Sequence, residues 1–143
     1  MAQAIISRRG GGYATITFNG VSALKRTGVS ALSVARARLA ATTVGTYALF
    51  GGGATSSDIL STVNAYNTSL TKSTPTALSQ AREELAATTV GNYALFGGGI
   101  VSKTVDAYDT SLTRSTPTAL SQSRHDLAAT TVDRKSTRLN SSH

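Results

Sequence analysis

Few residues in this 143-residue chain have side chains suited to chemistry. Before residue 133 the histidine is His125, followed directly by Asp126, the pair that in a serine-type triad orients an imidazole as general base. No nucleophile recurs at a matching position, so the pair is expected to be a solvated turn and no catalytic residue is assigned. The absence of cysteine removes disulfides, thiolate metal sites and cysteine nucleophiles together. A metal site needs several His, Cys or clustered carboxylates, and the six carboxylates before residue 133 are dispersed apart from Glu83-Glu84, so neither metal nor cofactor is expected. Gly51-Gly52-Gly53 and Gly97-Gly98-Gly99 have the composition of phosphate-cradling loops, yet neither is followed by Gly-Lys-Ser/Thr or by a helix. Glycine there is expected to allow positive φ and close packing between neighbouring elements.

The formal charge of +7 raises the question of nucleic acid. Two of those seven positive charges fall in residues 133–143, and the rest are scattered. The aromatics sit within apolar strand patterns and do not alternate with basic residues as a base-stacking platform would, so no specific nucleic-acid partner is expected. No run approaches the ~18 apolar residues of a membrane span. Arg8-Arg9 has the form of a twin-arginine signal, but Gly10-Gly11-Gly12 follows where the apolar stretch should begin.

The elements that would position any site are repeated. Ala37–Gly53 matches Glu83–Gly99 at 14 of 17 positions with an offset of 46, and Val63–Arg82 matches Val105–Arg124 at 16 of 20 with an offset of 42. The difference in length falls between the glycine triplets and the following valines, in Ala54–Thr62 against Ile100–Thr104, which marks an exposed loop. Each copy divides into four short segments of strand character with no competing helical period, so the unit is all-β. In the second copy the expected strands are Leu85–Val90, Asn92–Phe96 after a Gly91-Asn92 turn, about Lys103–Asp109, and Thr113–Leu120. Pro117 requires the last of these to be an edge or outer strand.

A Phe-Gly-Gly after an apolar strand, an Ala-Tyr-Asp strand and a closing Arg, in units of 42 to 46 residues, resemble the kelch repeat. The motif residues are Phe50, Gly51, Gly52, Asn64-Ala65-Tyr66-Asn67 and Arg82 in one copy, and Phe96, Gly97, Gly98, Asp106-Ala107-Tyr108-Asp109 and Arg124 in the next. The usual tryptophan after the tyrosine is absent, with Leu70 and Leu112 as the nearest apolar substitutes. The resemblance implies a β-propeller of four-stranded antiparallel blades. Residues 29–132 would then hold a fourth-strand remnant (Val29–Arg36), two full blades and the first strand of another. A propeller closes with roughly four to eight blades, so further blades or self-association would be needed. Kelch propellers include copper oxidases built on a tyrosine–cysteine crosslink and histidine ligands, for which this chain supplies neither the cysteine nor the histidines. A fragment of such an enzyme, with its site elsewhere, is one alternative.

Residues 1–28 are expected to be an N-terminal adaptor, with Tyr13–Phe18 as one strand, and its opening resembles those of bacterial surface-appendage or phage-derived proteins. Residues 133–143 resemble the conceptual translation of a common sequencing adapter and are excluded from the fold. Strand alternation places the second-to-third and fourth-to-first connections on one face. The recurrent Arg36, Arg82 and Arg124 are expected to bond carbonyls between blades through the five-donor guanidinium. The residues just after them differ between copies, and variation within a fixed frame is where recognition can be written. Arg38, Asp58, Glu83, Glu84, Lys103, His125 and Asp126 are therefore the candidate ligand face, for a protein or glycan, and a structural spacer in a surface or phage appendage is the competing expectation.

Overall fold

The computed structural model describes residues 28–131, so the adaptor strand and the 133–143 segment lie outside it. Among the described residues there are eight strands and no helix. The first sheet holds β1 (Ala40–Val44), β2 (Tyr47–Gly51), β3 (Val63–Tyr66) and β4 (Lys72–Ser73); the second holds β5 (Ala86–Val90), β6 (Tyr93–Gly97), β7 (Val105–Tyr108) and β8 (Arg114–Ser115). Each is an antiparallel meander in chain order. The two-residue hairpins close at Val44↔Tyr47 and Val90↔Tyr93, with Gly45 and Gly91 at φ 55° and 54°, the left-handed geometry a tight hairpin turn requires.

Three sequence expectations need correction. The fourth strand is two residues long in each sheet, because Pro75 and Pro117 follow shortly after it and cannot donate to a ladder. Beyond the prolines the chain leaves the sheet and runs beside the loop preceding the third strand: Leu78 and Arg82 donate their backbone N–H groups to Ser61 and Leu60 at 2.8 and 3.0 Å. Val29–Arg36 is likewise no strand. It is the counterpart of residues 75–82 and lies on the first sheet, where the Tyr66 hydroxyl donates to the Ser30 carbonyl at 2.7 Å. Leu127–Thr131 also forms no strand, since no second strand pairs with it among the described residues. Of the two leucines standing in for tryptophan, Leu112 packs against the core and Leu70 is exposed.

One core lies between the two sheets. It joins Ala40, Val44, Leu49, Val63 and Ala65 of the first sheet to Ala94, Phe96 and Tyr108 of the second through Leu78 and Leu85 of the connection. Phe96 and Tyr108 meet edge to face, ring centroids 5.9 Å apart. The ring of Phe96 fills the space over Gly51, where a Cβ would lie 2.9 Å from it. Gly52 has φ 71°, and a Cβ there would reach 2.6 Å from the Arg82 carbonyl. The first strands of the two sheets are joined by hydroxyls: Thr42 and Thr89 share a 2.8 Å bond, and Thr89 also donates to the Thr43 carbonyl.

The glycines that open the two triplets are thus unequal in space although identical in sequence. At Gly97 an added Cβ meets only Val105 Cγ2, at an ordinary 3.6 Å. Gly51→Val should lower stability in urea by about 1–3 kcal/mol through overpacking. Gly97→Val should stay within about 0.5 kcal/mol of the parent. Equal losses would contradict the packing.

Candidate functional site

The site is built outward from a buried arginine. Arg82, 1% exposed, extends from the connection into the second sheet, where its Nη1 donates to the carbonyls of Gly98 (2.9 Å) and Thr104 (2.6 Å). Its Nη2 donates to the Phe96 carbonyl (3.3 Å) and pairs with Asp106 Oδ2. Both side chains are fully buried, and burial pushes the Arg82 pKa down against the opposing pull of the Asp106 carboxylate. Asp106 also accepts from the Ser79 backbone N–H and hydroxyl, each at 3.1 Å. Arg36 repeats the arrangement on the first sheet, donating to Thr62 O (2.8 Å), Phe50 O (3.2 Å) and Asn64 Oδ1 (3.0 Å), so a neutral amide stands where the second sheet has a carboxylate.

This anchor fixes the residues that follow it. Arg38, Glu84 and Asp126 all adopt positive φ, at 56°, 57° and 53°. Their backbones form a ladder between successive units: Glu84 N–H donates to Arg38 O at 3.0 Å, and Asp126 N–H to Glu84 O at 3.1 Å. Glycine is the residue that adopts this conformation cheaply, so three charged residues held there mark a conformation imposed by surrounding contacts. The ladder gathers the side chains. Arg38 Nε pairs with Glu83 and stands 4.0 Å from Glu84 Oε1. His125 Nδ1 lies 3.1 Å from Glu84 Oε2 and 3.2 Å from Asp126 Oδ2.

Five of the seven candidate ligand-face residues therefore form one cluster: Arg38, Glu83, Glu84, His125 and Asp126. Asp58 and Lys103 share no hydrogen bond or ion pair with it among the described residues. Asp58 belongs to its own loop, its N–H donating to Thr55 Oγ1 at 2.9 Å and its carboxylate accepting from the Ser57 hydroxyl at 3.1 Å. Lys103 is exposed. The expected dispersal of carboxylates is corrected, since Asp126 joins Glu83 and Glu84 through a backbone ladder that sequence distance conceals. Glu84, His125 and Asp126 each bring one potential ligand atom within 4.8 Å of the others, the spacing at which a cation could be shared. Among the described residues the partners of the His125 ring are the Glu84 and Asp126 carboxylates.

Two structural features were not evident in the sequence. Asp106 was visible as part of a motif, but nothing in its spacing from Arg82 announced a buried ion pair. The threonine ladder between units, continued by Thr88 and Thr131 at 2.6 Å, was hidden because the Ala-Ala-Thr-Thr run reads as an ordinary strand. Comparison with protein-family models and with curated proteins finds no match for this chain.

Arg82→Met should cost about 3–5 kcal/mol in a urea melt, because it removes the one fully buried cation facing the Asp106 carboxylate and leaves, among the described residues, only Arg114, 3.9 Å from Oδ1. Arg36→Met, facing a neutral asparagine in a partly exposed position, should cost clearly less. The Tyr108 hydroxyl donates to the Thr76 carbonyl at 2.6 Å, and burial foremost, then the nearby Asp106 carboxylate, raises its pKa well above the ordinary tyrosine value. A pKa raised in the folded state means full stability below the unfolded value and loss as pH climbs past it. Urea midpoints should fall as pH rises beyond about 10, and Tyr108→Phe should flatten that slope. An unchanged slope would remove Tyr108 as its source.

Proposed function

We propose that this chain is a non-catalytic recognition module from a kelch-like β-propeller, binding a protein or glycan through the loop face around Arg38, Glu83, Glu84, His125 and Asp126. The observation that carries the reading is that the positions directly after the recurrent arginines, which differ between repeats, converge in one cluster, while Arg36 and Arg82 before them hold repeated structural bonds. Three carboxylates, one guanidinium and an imidazole make the cluster rich in acceptors with a single fixed cationic fork. That chemistry suits the hydroxyls of a glycan or the basic side chains of a protein, whose N–H and O–H groups need acceptors. Half-exposed Arg38 and His125 and buried Glu83 give the cluster a rigid floor and an accessible rim.

Two four-stranded antiparallel sheets joined through Arg82, with Arg36 of the preceding segment holding the first sheet in the same way, support the propeller part of the proposal. A second reading, a structural spacer in a bacterial surface or phage appendage, is favoured by the strict repetition of the inter-unit bonds: Tyr108 to Thr76 repeats Tyr66 to Ser30, and Arg114 to Ala77 repeats Lys72 to Ala31.

Glycan and protein arrays probed with the purified chain separate the two. A recognition module gives a defined set of signals that fall at least tenfold when Glu83 and Glu84, or His125 and Asp126, are replaced by alanine. Signals that survive both replacements would reject this face, and an absence of signal on both arrays would favour the spacer.

A further inference from the structure

The pentapeptide Tyr-Ala-Leu-Phe-Gly occurs twice, as β2 and β6, with opposite burial. In β2 the buried residues are Leu49 and Gly51, which face the second sheet; in β6 they are Ala94 and Phe96, which face the first. Side chains alternate across a strand, so each sheet carries a socket face (Leu49 and Gly51, or Leu95 and Gly97) and a knob face (Phe50, or Phe96). The described residues use one of each. They leave a socket on the second sheet, a groove lined by Leu95, Gly97, Val105, Leu120, Arg124 and Leu127. They also leave a knob on the first sheet, Phe50 and Tyr66, both only partly buried.

We propose that this groove receives Phe50 of a second copy of the chain, so that copies associate head to tail. The occupant is specified by the interface already present within the molecule. The groove residues Leu95, Gly97, Val105, Leu120 and Leu127 are the repeat counterparts of Leu49, Gly51, Val63, Leu78 and Leu85, which enclose Phe96. The knob is matched as well: Phe50 and Tyr66 meet edge to face at 5.9 Å and 89°, Phe96 and Tyr108 at 5.9 Å and 87°. Lock and key are both encoded in one chain, on opposite faces, which is the condition for a heterologous contact.

Docking involves an exchange. Residues 30–38 lie on the first sheet as residues 76–84 lie on the second, with Arg36 holding the Phe50 and Thr62 carbonyls. In the associated pair, Arg124 of one copy takes those carbonyls from Arg36 of the other, and residues 128–131, the counterparts of β1, give way to the incoming β1 while Leu127 stays in the groove. The arginine and threonine bonds are traded one for one, and the net gain is the apolar surface of Phe50 and of the groove. Association is therefore weak and concentration-dependent, and loosening the Arg36 segment promotes it.

Sedimentation velocity from micromolar to millimolar concentration tests the proposal. The parent chain should gain mass with concentration. Phe50→Ala and Gly97→Val should each move that transition to at least tenfold higher concentration, and Arg36→Ala should move it lower. Gly97→Val fills the groove without touching the packed interface, so it remains informative if Phe50→Ala does not fold. Neither residue belongs to the ligand cluster, so array signals should survive in both variants. A parent chain that stays monomeric throughout, or association indifferent to Gly97→Val, overturns the proposal. A monomer that Gly97→Val destabilises would place a segment of the same chain in the groove and overturn it equally.

Discussion

The guanidinium of Arg82, buried within the second sheet, is the interaction on which the rest of the described structure depends. A four-stranded meander whose last strand is two residues long has little core of its own. Stability must come from the layer between the sheets. Arg82 closes that layer by binding three carbonyls and one carboxylate of the sheet ahead while its own backbone remains tied to the loop behind, through Arg82 N–H to Leu60 O and Gly53 N–H to Arg82 O. The bare Cα of Gly52 lets the chain pass the Arg82 carbonyl, and that of Gly51 admits the Phe96 ring alongside. The glycines, the phenylalanine and the arginine of the repeat are parts of one joint.

The same joint explains why variable residues sit where they do. Positions 83 and 84 follow the anchor directly, so their backbone is placed whatever their side chains are, and the ladder Arg38–Glu84–Asp126 aligns the equivalent positions of successive units. Charge can vary there because these side chains lie outside the apolar core, Glu83 alone among them being buried, against Arg38. Position 106, by contrast, faces the anchor itself. An aspartate there neutralises a fully buried guanidinium, whereas Asn64 suffices for the more exposed Arg36. Burial of the cation and the charge of its partner vary together.

Much of this was legible in the sequence because the chain contains its own comparison. Two copies located the first three strands of each full unit, the hairpin turns at Gly45 and Gly91 and the variable loops to within a residue or two. The all-β class followed from four short segments of strand character per copy, separated by turn residues, with no competing helical period. The length of the fourth strand was not legible: Thr113–Leu120 has strand composition and Pro117 is compatible with an edge strand, whereas the ladder ends before it. Nor could periodicity tell which face of Tyr47–Gly51 and Tyr93–Gly97 would be buried, since identical pentapeptides take opposite answers according to which neighbour is present. The convergence of Glu84 with His125 and Asp126 depended on a backbone ladder between residues 42 apart, a relation that composition cannot express.

The claim that two sheets form one cooperative unit through Arg82 is tested most directly by native-state amide hydrogen exchange, followed at the buried N–H groups of β2 and β6. The account predicts one shared opening free energy for both strands in the parent chain. It also predicts that Arg82→Met separates them, with β6 opening more readily than β2. Two sheets that already open independently in the parent chain, or that stay coupled without the arginine, would contradict it.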